Sequence, residues 1–291
     1  MNVIVVSHRP QVAKPIFHQL GRAVGGYQWV DIRGELFQDA DQIKEADLLL
    51  IWNGWQSNAR QAVEIARRHG IPYAVFENGL FGQSDYYLWD TRGFNGDSSL
   101  MDPVHWVGDD ELAQLRETRR RLQERHPLRP GGHVLVPLQI HNDTQILYHT
   151  PYATMEDFQD DLAAMYPDQE VIIRPHPKSS ARRQPRGPHQ RIDSSGSFLD
   201  AASRASVVVG LTSSCLWEAA VLGVPTVALG DHPLRQHPRR AHDRVLAAAM
   251  SRNLPQTMPL VEVMSRLGIK LKERSCRTDS DGRRDLTAEC V

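Results

Sequence analysis

The sequence predicts an α/β protein made of two halves, each a parallel sheet with crossover helices, that meet at a cleft. Three observations carry this. Short β-branched or aliphatic runs alternate with longer amphipathic stretches. The segment Pro127-Leu-Arg-Pro-Gly-Gly132 gathers chain breakers between two such patterns. The length of 291 residues suits about two domains at roughly 150 residues each. We therefore expect an N-terminal domain over residues 1–127, a C-terminal domain over 133–273 and a poorly ordered tail over 274–291, where no apolar period survives.

Val3 to Val6 reads as the first strand, Asp47 to Trp52 as a second and Tyr73 to Phe76 as a third. Between the last two, Ser57 to His69 carries Ala62, Ile65 and Ala66 on one face and Arg60, Glu64, Arg67 and Arg68 on the other, with Gly70 as the stop. From Gly79 to Leu100 the text is irregular and rich in Gly, Asn, Asp and aromatics, so long functional loops are expected. A charged helix, Asp109 to His126, leads into the linker. Beyond it His133 to Gln139, Glu170 to Arg174, Ser206 to Val209 and Thr226 to Leu229 read as strands. Helices from Thr154 and Ser197, each with Asp three residues on, have the form of capping boxes, and a third starts at Ser213 or Ser214 and ends at Gly223.

Composition narrows the class. With 34 Lys+Arg against 35 Asp+Glu the formal charge is −1, so any anion site must be local rather than part of a global basic field. Hydrophobic residues make up 41% and charged residues 24%, which excludes disordered, collagen-like and disulfide-scaffold chains. The three cysteines, Cys215, Cys276 and Cys290, form no C-x-x-C pair, which predicts a reducing, cytoplasmic setting. Met1-Asn-Val-Ile-Val-Val-Ser reads as a first strand rather than a signal peptide. Ser206 to Gly230 carries a single charge, Glu218, but Gly210, Gly223, Pro225 and the polar Thr-Ser-Ser break it into strand, turn, helix and strand. No integral membrane segment is expected.

In open parallel sheets ligands sit beyond the carboxyl ends of the strands, and four strand ends carry chemistry. Glu77-Asn78-Gly79 places a carboxylate, fit for a general base, before a turn pair able to adopt positive φ; its plain alternative is a turn carboxylate on backbone amides. Pro175-His176-Pro177 fixes one imidazole between two rigid residues and aims it beyond the strand, where it can hold a phosphate or leaving group. Gly210-Leu-Thr-Ser-Ser214 offers hydroxyls, free N–H groups and a helix dipole as a phosphate cradle, while Ser213 or Ser214 also serves as N-cap. Glu218, within the following apolar helix, needs a partner if buried, and a ribose diol would suit it. Gln139 to Gln145 is a polar segment able to line the cleft. A metal held by His141, Asp143 and His149 is conceivable, but the ligand spacing of known metal motifs is missing. Neither G-x-S-x-G nor a P-loop occurs.

In order, Glu77-Asn-Gly, Pro137-Leu-Gln-x-x-x-Asp-x-Gln-Ile146, Arg174-Pro-His-Pro177, Thr212-Ser-Ser214 and Ala219-x-x-Leu-Gly-x-Pro-Thr226 resemble the capsular polysaccharide Kdo transferases. More distantly they resemble the bacterial sialyltransferases with their D/E-D/E-G, H-P and S-S/T motifs. The match runs from about Asp47 to Gly230. The resemblance implies a GT-B glycosyltransferase: two Rossmann-like domains facing across a cleft, inverting and metal-independent chemistry, no cofactor, and a CMP- or UDP-linked nucleotide-sugar donor held by the C-terminal domain. Carried over, Glu77 is the base, His176 contacts the donor nucleotide or its phosphate, and Ser213 and Ser214 hold the phosphate. Arg174, Pro177 and Thr212, with Glu218 on the burial argument alone, complete the expected donor side; Asn53, Asn78, Gly79, Gln139, Asp143 and Gln145 form the expected cleft and acceptor side. The second acidic position of the motif is Asn78 here.

The expected acceptor is a glycan. A second reading is a phage-type enzyme acting on a hydroxymethylated pyrimidine of DNA, since Glu77-Asn-Gly followed by Gly93-Phe-Asn-Gly-Asp-Ser-Ser-Leu100 also resembles compact phage-encoded relatives. The arginine-rich stretches Arg116 to Arg125, Lys178 to Arg191 and Arg235 to Arg244 would then track phosphates. A third is a nucleotide-binding module without catalysis, for which Asn78 in place of an acid is the hint.

Overall fold

A computed structural model describes residues 2–7, 28–31, 40–53, 57–81, 85–140, 143–179, 184–255, 257–258 and 260–266. The expected tail, Cys276, Cys290 and His141 lie outside them.

The first half builds a six-stranded sheet in the order β11-β5-β4-β3-β1-β2. Its members are β1 (Val3–Ser7), β2 (Gln28–Asp31), β3 (Leu48–Trp52), β4 (Tyr73–Asn78), β5 (Tyr86–Asp90) and β11 (Asn253–Pro255). The strands β2, β1, β3 and β4 run parallel, whereas β5 and β11 are antiparallel additions. The second sheet is wholly parallel, β10-β9-β6-β7-β8, from β6 (Val134–Pro137), β7 (Val171–Arg174), β8 (Gln190–Ile192), β9 (Val207–Gly210) and β10 (Thr226–Ala228). Strands covered on both faces need apolar side chains at every position. Leu48-Leu-Leu-Ile51 and Val134-Leu-Val136 accordingly read as unbroken runs and are buried throughout.

Helices follow the sequence signals closely where those are local. After α1 (Ala40–Lys44), α2 (Ser57–His69) buries Ala59, Ala62, Val63 and Ala66 and exposes Glu64, Arg67 and Arg68. Gly70 closes it at φ +66°, the left-handed stop that glycine adopts without strain. A long helix α3 (Asp109–Arg125) precedes the linker, and α4 (Thr144–His149) and α5 (Met155–Met165) follow β6. Thr154 caps α5 in a full capping box: its hydroxyl accepts the Asp157 N–H at 3.0 Å while the Asp157 carboxylate accepts the Thr154 N–H at 3.1 Å. At α6 (Phe198–Ala202) the box is half made. Ser197 accepts the Asp200 N–H at 3.1 Å, but that carboxylate takes the Ser197 hydroxyl and His126 Nδ1, both at 2.6 Å.

Ser213 caps α7 (Ser214–Leu222), and Gly223 ends it at φ +98°. The last carbonyls of α7 are taken from outside: Arg119 Nε donates to Val221 O at 3.1 Å and Gln123 Nε2 to Leu222 O at 2.8 Å, so α3 closes the helix end. The helices α8 (Pro233–Gln236), α9 (His242–Ser251) and α10 (Leu260–Arg266) complete the described chain. One apolar cluster unites Leu49 and Val75 of the first half with Leu135 and Val208 of the second and with Val245 to Ala249 of α9.

Two differences from the sequence reading matter for the site. The stretch 79–100 is not all loop: Tyr86 to Asp90 pairs with both β4 and β11. Its aromatic content suits a strand, but its Asp flanks and lack of alternation hide the fact. Residues 253–255, grouped by sequence with the second half, pair with β5 in the first sheet.

The turn after β4 also differs. Neither Asn78 nor Gly79 has a positive φ. Gly79 is needed for space instead, since a Cβ there would stand 2.4 Å from Tyr86 Cβ and 2.8 Å from Asn253 Oδ1. Gly79→Ala must push β5 and β11 away from β4 and is expected to cost about 1–3 kcal/mol, as overpacked sites do. Chemical denaturation would measure it; an unchanged midpoint would show that this corner yields freely.

Candidate active site

The segments that follow β4, β6, β7 and β9 meet around a cavity of about 210 Å³. The first half contributes Glu77 and Asn78 at the end of β4, Asp90 at the end of β5, and Asn95 and Ser98 from the turns beyond. The second contributes Gln139, Asp143, Gln145, His176 and Thr212 to Ser214, with Trp217 as an apolar wall.

Glu77 lies opposite Leu88 in the β4–β5 ladder and is partly buried in the cavity wall. Burial, then the Asp143 carboxylate, push its pKa up to about 7. A carboxylate so placed is half ionised near neutral pH, which suits a group that must take and release a proton.

His176 follows β7 as the Pro-His-Pro clamp requires, and its Nδ1 accepts the Lys178 N–H at 3.1 Å. That bond leaves the proton of the neutral ring on Nε2. Burial first, and Lys178 second, hold its pKa below the usual range, with Asp143 opposing. At pH 7 His176 is thus a neutral donor.

Beyond β9, Ser213 accepts the Cys215 N–H at 3.3 Å and opens α7, whose positive dipole end lies at the cavity that Ser213 and Ser214 line. Thr212 is held by Gln139: its N–H donates to Gln139 Oε1 at 3.1 Å, and Gln139 Nε2 donates to Asp143 Oδ2 at 3.0 Å. Asp143 also caps α4 by accepting the Gln145 N–H at 3.0 Å. Gln139 is therefore the brace that ties the β9 loop to the α4 turn, rather than a group with donors to spare.

Other expected site residues stand elsewhere. Arg174 Nη1 and Nη2 donate to the carbonyls of Ser195 and Gly196 at 2.9 and 2.5 Å, and neither Arg174 nor the exposed Pro177 lines the cavity. Glu218 sits outside the cavity lining too, though burial pushes its pKa up to about 7. Asn53, at φ +49°, ends β3 away from the cavity, and its Oδ1 finds no hydrogen-bond partner among the described residues. Gly79 is beside the cavity but serves packing. Burial pushes the Cys215 thiol up to about 12, which removes it as a nucleophile. Among the described residues no three His, Cys, Asp or Glu side chains stand together as metal ligands, and no helix is long and apolar enough to cross a membrane.

The sequence reading missed the hub of the first wall. Asp90, 2% exposed, accepts from Arg92 N at 2.7 Å, Ser98 Oγ at 2.7 Å, Ser99 Oγ at 3.0 Å and Arg252 Nη1 at 2.6 Å. It pins the 91–99 turns to the sheet edge and to the end of α9. The Ser-Ser pair of Gly93 to Leu100 was the visible signal; its partners were not.

The arginine-rich stretches are paired in part. Arg119 pairs with Asp243 at 2.8 Å, Arg121 with Glu117 at 2.6 Å, and Arg120 with Glu117 and Glu124. Arg186 pairs with Asp160 at 2.5 Å and Arg191 with Glu170 at 3.1 Å; Arg244 donates to Val107 O at 2.9 Å.

No family model matches the chain. A curated relative, Protein FixF of Sinorhizobium fredii (strain NBRC 101917 / NGR234), is 31% identical over 208 residues, covering 66% of this chain and 50% of that protein. The chain thus spans about half the length of that relative. Among solved structures it is similar to a Thermosulfurimonas dismutans KpsC structure described as a β-Kdo 2,7 transferase, with TM-score 0.63, 19% identity, and 92% of this chain and 98% of that one covered. A second, described as the β-Kdo 2,4 transferase of the same KpsC, matches with TM-score 0.57 and 17% identity over 84% of this chain and 89% of that one. At such identities the likeness is one of fold: two Rossmann-like halves facing across a cleft, the GT-B arrangement.

Proposed function

We propose that this GT-B chain moves a sugar from a nucleotide-sugar donor to a hydroxyl of a glycan, without a metal. The observation that carries the reading is the convergence on one cavity of Glu77, with its pKa near 7, the neutral donor His176 and the capped start of α7. In the reaction the acceptor oxygen attacks the anomeric carbon while Glu77 takes its proton, and the bond from that carbon to the donor phosphate breaks. Charge gathers on the leaving phosphate, where His176 Nε2–H, the Ser213 hydroxyl and the α7 dipole oppose it. A single displacement of this kind inverts the anomeric centre. The description of the KpsC structures as Kdo transferases, together with the motif order, supports a CMP- or UDP-linked donor.

A glycan acceptor is preferred to DNA because several of the arginines that would track phosphates already face carboxylates or carbonyls of their own chain. Cysteine usage is consistent with a cytoplasmic setting.

The test is mass spectrometry of products from pooled CMP- and UDP-sugars offered to oligosaccharides and to hydroxymethylcytosine DNA in the presence of EDTA. A one-sugar mass gain on an oligosaccharide is expected. A gain on DNA alone would overturn the glycan reading, and no gain with either would sink the transferase reading. NMR of the new linkage reports the stereochemistry. Retention would show that a carboxylate forms an intermediate, with Asp143 in the same cavity as Glu77.

A further inference from the structure

Two glutamines line the cavity, and their hydrogen bonding sets them apart. Gln139 has both ends of its carboxamide occupied, on Thr212 and Asp143. Gln145 is 7% exposed, and its Oε1 accepts from Asn95 Nδ2 at 2.6 Å; its Nε2 is buried with no partner among the described residues. A buried donor left unmade loses its hydration with nothing in return, and such groups are few in folded proteins and call for a reason.

The side chain is also held. Its own N–H is fixed on Asp143, and Asn95 reaches it from the opposite wall at φ +51°. The next residue, Gly96, is wedged so closely that a Cβ would meet His149 Nδ1 at 2.7 Å and Asp231 Cβ at 2.8 Å. The carboxamide therefore cannot swing freely to find another partner.

Its place fits one part of the substrate. On the reading above, the transferred sugar must bridge the phosphate cradle at Ser213 and Ser214 and the base at Glu77. Gln145 stands on that bridge, beside Asp143 and against the first wall. We propose that the Gln145 carboxamide donates to an oxygen of the sugar being transferred, and so takes part in choosing which sugar the site accepts. The ligand group is an oxygen acceptor, a hydroxyl or carboxylate of the sugar, and not the nucleotide. This inference rests on the glycosyl-transfer reading.

Gln145→Glu keeps an oxygen for Asn95 Nδ2 and removes the N–H donor but adds a charge beside Asp143, whereas Gln145→Met removes the donor without adding charge and, with a melting curve, checks the fold; a loss in both assigns the effect to the donor. Calorimetry compares CMP-Kdo with CMP and UDP-glucose with UDP on the full chain. The affinity ratio of nucleotide-sugar to nucleotide is expected to fall about 3- to 10-fold in both variants for the donor that the wild type binds, the size of one neutral hydrogen bond. An unchanged ratio, including equal losses for both ligands, would overturn this role for Gln145 and leave the transferase reading standing. No binding of any of the four ligands by the wild type would overturn both.

Discussion

Glu77→Gln is expected to lower sugar transfer about 10²- to 10⁴-fold, the usual worth of a positioned general base, while nucleotide-sugar affinity stays within a factor of about two. Single-turnover transfer and equilibrium binding, read side by side, make the measurement. The pH profile adds a second signature. Burial and the Asp143 charge raise Glu77 to about 7, so the wild-type rate should climb as pH rises through about 7 and level off above it, whereas the residual rate of the variant has no such limb. Asp143→Asn removes the second of those causes and should move the limb to lower pH without erasing it.

Stability runs the other way. A carboxyl whose folded pKa is raised above its ordinary value of 4.5 stabilises the fold in its protonated form; that contribution is complete below the ordinary value and is lost as pH climbs through about 7. Glu77→Gln should thus melt higher than the wild type at pH 8 and alongside it at pH 4. Full turnover in the variant, or a flat wild-type profile, would remove Glu77 from its role.

The largest loss of stability is expected from Asp90→Ala. The carboxylate is 2% exposed and the paired Arg252 side chain 13% exposed, so the change strands a guanidinium indoors and unties the Arg92, Ser98 and Ser99 donors together. Breaking one side of a buried ion pair costs about 3–5 kcal/mol. Urea denaturation at fixed pH measures it, and Arg252→Met combined with Asp90→Ala should cost less than the two single changes added together. A loss under about 1 kcal/mol would show that water reaches Arg252 and replaces its partner.

How much of this could be read from the sequence follows the range of the interactions. Thr154 with Asp157, Ser213 before α7 and Gly223 after it are local devices, spelled within a few residues, and each is where the pattern puts it. The convergence of Glu77, His176 and Ser213 was legible too, because parallel strands deliver the residues beyond their ends to one rim. Side-chain direction was not. Arg174 is adjacent to that rim in sequence, yet its guanidinium turns to the Ser195 and Gly196 carbonyls, and Glu218 lies off the line of Ser214 and Trp217 that faces the cavity. The Asp90–Arg252 pair was hidden because its members are 162 positions apart. No periodicity connects groups at that separation.

The return of the chain at Asn253 to Pro255 bears on how the protein is born. Emerging from the ribosome in order, the first sheet has β5 as its outer strand until α9 and β11 arrive; its unpaired N–H and C=O groups form an open template for another chain. Asp90 waits as long for Arg252, and the Leu80 N–H for Asn253 Oδ1. The amino-terminal half is thus completed after the carboxyl-terminal half has been synthesised, and its closing contacts are among the longest loops in the molecule. A chain stopped at the linker would leave that edge bare and open to pairing with another chain.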